Sequence, residues 1–159
     1  MRINAKTFTQ HVRLAGPYLG ILTLVWLLRM LAYAAGLPLN WVEVISLSVA
    51  VEVCTVLAVV QIHVSEWGSY SNIVVVAFLL NAWSQLQIAL AIIFTMVTGV
   101  GTVYTHPSYT IPPGGGEHWT HLYGQLTFVL GFGTIFALAS GCLLLFLLRL
   151  LLPNAPAED

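Results

Sequence analysis

The sequence predicts an all-α integral membrane protein, an antiparallel bundle of four transmembrane helices. Hydrophobic residues make up 58% of the 159-residue chain and charged residues 7%, against roughly a quarter charged in an ordinary soluble domain. That leaves too little polar surface to face water. The apolar residues gather into four long runs, each reaching the roughly 20 residues that a helix needs to cross a hydrocarbon core of about 30 Å. The runs are unbroken rather than alternating, which favours helices over barrel strands, since a lipid-facing helix satisfies its own backbone hydrogen bonds.

The first span is expected over 18–36. Arg2, Lys6 and Arg13 ahead of an apolar stretch ending in Ala32-Tyr33-Ala34 have the layout of a secretory signal. Trp26 and Arg29 interrupt that stretch, so it reads as a retained span. The second span is expected over 41–61, the third over 72–103 and the fourth over 121–152, with an outer loop at 104–119. Arg2, Lys6, Arg13 and Arg149 flank one face, and cations are retained on the cytoplasmic side, so both termini are expected to be cytoplasmic. His63-Val64-Ser65-Glu66-Trp67 then lies inside, and 104–119 outside. A formal net charge of −1 offers no basic surface for nucleic acid. Cys54 and Cys142 fall within spans without a C-x-x-C spacing and read as inert buried thiols.

Ionisable and amide side chains at membrane depth normally face the bundle interior. On the second helix Ser48, Glu52, Thr55 and His63 fall close to one line. On the third, Asn81, Gln85, Thr95, Gly99 and Thr102 share a face, and counting from the inner loop puts Glu52 level with Ser84 and Gln85. Arg29, deep in the first span, is expected to reach toward Glu52 or to snorkel to a headgroup. Arg29, Glu52, Asn81 and Gln85 therefore form either a proton or ion path, a polar pocket for a small ligand, or interhelical glue worth about 0.6 kcal/mol per hydrogen bond. Glu43, Ser46, Cys54 and Gln61 occupy another face of the second helix, which is expected to meet a further subunit.

The outer loop is rich in chemistry. His106, Glu117, His118 and His121 lie near one membrane surface, and His118 and His121, three apart, project from nearly the same side of a helix. Three imidazoles and a carboxylate suit zinc, copper or iron, and imidazoles from two helices suit a haem, with Phe128 and Phe132 continuing the same face. H-x-x-H alone is a weak signal, and histidines, Trp41, Trp119, Tyr104 and Tyr123 equally suit the headgroup zone. His11, ahead of the first span, is expected to be solvated. Gly133, Ala137 and Gly141 recur at every fourth residue, a spacing that lets helix backbones approach closely.

Three functional classes follow. One is a metal- or haem-binding subunit in electron transfer, with His106, His118 and His121 as ligands of a haem or transition metal and Glu117 alongside. A second is a non-catalytic subunit forming a homo-oligomer or part of a larger membrane complex. The third is a small channel or carrier whose path passes Glu52, Asn81 and Gln85. No activated nucleophile, phosphate-cradling loop or nicotinamide or flavin signature is present, and enzyme activity stays undecided on the sequence. The lipid bilayer is the expected partner, and nucleic acid is not.

Overall fold

The computed structural model describes residues 2–3, 6–67, 69–109 and 117–152. Two short antiparallel strands, β1 (Arg2–Ile3) and β2 (Lys6–Thr7), precede the helices. The helices are α1 (Phe8–Ala34), α2 (Leu39–Val44), α3 (Leu47–Val64), α4 (Tyr70–Thr98), α5 (His118–Gly124) and α6 (Leu130–Leu151). A 3-10 turn at Val103–Thr105 follows α4, and a π turn at Gln125–Val129 joins α5 to α6. Four stretches are long and apolar enough to cross a membrane: Phe8–Ala34, Leu39–Val64, Tyr70–Thr98 and His118–Leu151.

Local chemistry explains where these helices depart from the expected spans. α1 starts at Phe8 rather than near Tyr18, because Thr7 and Gln10 form a capping box: the Thr7 hydroxyl accepts from Gln10 N–H, and Thr7 N–H donates to Gln10 Oε1 at 2.8 Å. Pro17 sits inside the helix on its exposed side, where one missing donor is tolerated. The second span is broken at Ile45–Ser46. α3 restarts there with Ser46 as its cap, the hydroxyl accepting from Val49 N–H. α4 stops at Thr98 rather than near Val103, because Gly99 takes a left-handed conformation (φ 71°) and its N–H closes onto the Thr95 carbonyl. The loop expected through Pro112, Pro113 and Gly114 to Gly116 lies outside the described residues.

α4 is the hub, packing against α1, α3 and α6. The core runs along it through Ile73, Val76, Leu80 and Ile92, against Leu22 from α1, Val59 and Ile62 from α3 and Leu145 from α6. The outward faces are apolar too, with Leu31 64% exposed, Phe78 50% and Phe146 53%. At one end of the molecule His11 is fully buried rather than solvated. Its Nδ1 donates to the Thr7 carbonyl, its Nε2 meets Asn72 Oδ1 at 2.9 Å, and the ring stands edge-on to Trp67. His63 Nε2 donates to the Leu152 carbonyl at the same end, and the Arg149 guanidinium lies over Tyr70.

The small-residue row on α6 faces neighbouring helices of the same chain. A side chain at Gly141 would place its Cβ 3.0 Å from Ile73 Cγ2 on α4 and 3.3 Å from Val59 Cγ2 on α3. On the face of Cys54 and Gln61, Cys54 is buried, and Gln61 Oε1 accepts from Tyr18 Oη of α1 at 2.7 Å. Gly141→Val is therefore expected to destabilise the fold by about 1–3 kcal/mol through overpacking. Gly131→Ala, where a Cβ meets nothing within 4 Å, is expected to leave the midpoint unchanged, and thermal unfolding in detergent checks both.

Candidate functional site

A cavity of about 480 Å³ lies between α3, α4 and the start of α6. Glu52 enters from α3, Asn81, Ser84 and Gln85 from α4, and Val129, Phe132 and Phe136 close the third side. The break at Ile45–Ser46 lets α3 begin beside the cavity, so that Leu47 and Ser48 line it. Opposite, the π turn ends at Val129 on the cavity wall. Gly133, one turn further on, lies against Asn81 of α4.

Glu52 Oε2 accepts from Ser140 Oγ at 3.0 Å. Asn81 Nδ2 donates to the Ala77 carbonyl, and Ser84 Oγ to the Asn81 carbonyl. Gln85 Oε1 is buried with no hydrogen-bond partner. Asn81 Oδ1 lies against Gly133, where an added Cβ would come within 2.7 Å of it. The structure thus gathers Glu52, Asn81, Ser84 and Gln85 at one cavity. Ser140 is the residue that sequence reasoning missed. It stands one place before Gly141 in an apolar helix, and nothing in its spacing singles it out.

Arg29 does not join them. It is 8% exposed, and its guanidinium lies over the rings of Tyr104 at 5.2 Å and Tyr109 at 4.9 Å, with Nε unpartnered. Cation–π contact of this kind is worth about 2 kcal/mol when desolvated, which is why the side chain neither snorkels nor reaches Glu52. Neither phenol oxygen makes a well-formed hydrogen bond. Burial pushes the Tyr104 phenol up to about 12, with Arg29 acting in the opposite direction. Tyr109 is also raised, chiefly by burial, and Glu43 beside it adds to the effect while Arg29 opposes it.

The outer histidines have separate surroundings. His121 is buried, with Nε2 donating to the Tyr104 carbonyl at 2.9 Å. His106 stands edge-on to Tyr33 and Tyr109, and its Nδ1 accepts from Ser108 N–H. His118 Nδ1 is buried without a partner, and Glu117 is exposed. Among the described residues no group of three His, Cys, Asp or Glu side chains comes together in a way that would hold a metal ion. Phe128 and Phe132 stack on each other, rings 6.2 Å apart, and both are largely exposed.

A second polar contact was also missed by the sequence. Thr23 Oγ1 on α1 accepts from both Trp83 Nε1 and Gln87 Nε2 on α4, at 3.0 and 2.8 Å. Compared with protein-family models, with curated proteins and with solved structures, the chain finds no match in any of the three.

The Tyr104 environment has a measurable consequence. The unfolded phenol loses its proton near pH 10, whereas the folded one holds it to about 12. The associated stability is fully present below about pH 10 and is lost as pH rises toward 12. In an alkaline titration followed by tyrosinate absorbance, Tyr104→Phe is expected to remove one late-ionising phenol. The fall in Tm across that window is expected to become shallower.

Proposed function

We propose that this chain is an integral membrane protein whose four long helices form an antiparallel bundle with both termini cytoplasmic, and that it binds a small lipophilic molecule in the Glu52 cavity. Support for insertion comes from the four apolar stretches and the apolar outward faces. The bundle reading is supported by the contacts at the molecule's two ends: Thr7, His11, His63, Asn72 and Leu152 meet at one, and Arg29, Tyr104 and His121 at the other. Orientation rests on the flanking cations.

The observation that carries the binding reading is the cavity itself. Its volume lies in the range of small-molecule sites, about 300–1,000 Å³, and it sets a few polar groups in mainly apolar walls. Val49, Val53, Phe132 and Phe136 line it and are exposed on the outer surface, so the opening faces the acyl chains and a ligand enters sideways from the bilayer. A carrier fits this arrangement better than a continuous ion channel. Further along the α4 stripe, Thr95 bonds with Thr102 and Thr105 instead of lining an extended polar path. A haem or metal subunit built on His106, Glu117, His118 and His121 has less in its favour, as His121 is engaged with the Tyr104 carbonyl. An oligomer-forming role draws on no comparable feature.

In lipid nanodiscs, a neutral environment-sensitive lipophilic dye is expected to bind saturably above its partition into empty discs. Bulk added at the rim by Ser48→Trp or Val53→Trp is expected to weaken that binding at least about tenfold, or about 1.4 kcal/mol, with helix content unchanged. Partition that never saturates, or that is the same in all three proteins, overturns the proposal.

A further inference from the structure

We infer that the ligand of the cavity is a lipophilic cation, a protonated primary amine carrying an apolar body, with Glu52 as its counter-charge and Asn81 and Gln85 as hydrogen-bond partners. This rests on the ligand-binding reading above and adds the chemical class. Among the described residues no Lys, Arg or His lines the cavity, Arg29 is held by its two tyrosines, and Glu52 has a single neutral partner in Ser140. A carboxylate among apolar walls without a cation is costly. A ligand that brings the positive charge removes that cost.

The Ser140 and Ser84 hydroxyls and one N–H of Asn81 Nδ2 are already engaged, on Glu52, on the Asn81 main-chain carbonyl and on the Ala77 carbonyl. What remains for a ligand is the rest of the Glu52 carboxylate, the one charged group among the cavity's described lining residues, together with Asn81 Oδ1 and the amide of Gln85 beside it. A primary ammonium has three donors and no acceptor, the complement of this set. An anion would instead meet the Glu52 carboxylate with no described cation beside it.

A bare divalent ion such as calcium takes six to eight oxygens, and it would leave most of this 480 Å³ space and its Phe132 and Phe136 walls unfilled. An organic body occupies that space, and the two aromatic faces favour a nearby cation. Gly133 belongs to the same design, since any side chain there would push Asn81 Oδ1 out of place.

The test uses the full chain in phosphatidylcholine nanodiscs and two fluorescent probes of equal chain length, one ending in a primary amine and one in a hydroxyl, each corrected for partition into empty discs. The wild type is expected to bind the amine probe at least about tenfold more tightly, and Glu52→Gln to abolish the preference while still binding the hydroxyl probe. Equal affinities in the wild type, or a preference that survives Glu52→Gln, overturn the cation assignment and leave the cavity reading standing. If neither probe binds above partition, the cavity reading falls as well. Gly133→Ala supplies a second variant. It is expected to weaken the amine probe more than the hydroxyl probe, and equal weakening overturns the role of Asn81.

Discussion

The constraint on which the structure depends is that its long helices are apolar on both inward and outward faces, so each polar side chain must find its partner within the chain. An amide or hydroxyl left alone in apolar surroundings is costly, and several here are paired across helices. Thr23 takes two donors from α4, Tyr18 reaches Gln61, His11 reaches Asn72, and Ser140 reaches Glu52. These contacts fix the rotation of α1 and α3 about the hub helix α4. Individually each is modest; the packing of Ala137, Gly141 and Leu145 between them holds the faces together.

Against that background the Glu52 cavity stands out as a place where a carboxyl, two amides and open space coincide. Two irregularities in the helices make room for it. The break at Ile45–Ser46 starts α3 anew at the cavity's edge, and the π turn shifts the opposite wall. Irregular helical geometry often accompanies functional sites, and here both irregularities border the same space. The Arg29 clamp acts elsewhere, holding the turn at Val103–Thr105 and Tyr109 against α1 and keeping the cation away from Glu52.

Much of the helical content was legible because length and hydropathy act along the chain. Caps shift the boundaries that hydropathy alone sets: the Thr7–Gln10 box starts α1 ahead of the apolar run, and Gly99 ends α4 where apolar composition alone continues. The polar alignment of Glu52 with Ser84 and Gln85 followed from helical spacing. Ser140, the π turn and the pairing of Thr23 with Trp83 and Gln87 were not legible, since each depends on how one helix is rotated against another. For the same reason the histidines looked like a cluster. Their spacing puts them at one end, while Tyr104's carbonyl and the rings of Tyr33 and Tyr109 decide where each imidazole points.

The central claim is that the Glu52 cavity lies at membrane depth and opens toward lipid. Spin-label accessibility tests it directly, with a label at Val53 and at the terminal positions Trp41 and Val64, on a background carrying Cys54→Ala and Cys142→Ala. The label at 53 is predicted to collide more readily with oxygen, which concentrates in the acyl layer, than with a water-soluble nickel chelate, and the order is predicted to reverse at 41 and 64. Nickel accessibility at 53 equal to that at the two ends would contradict the account.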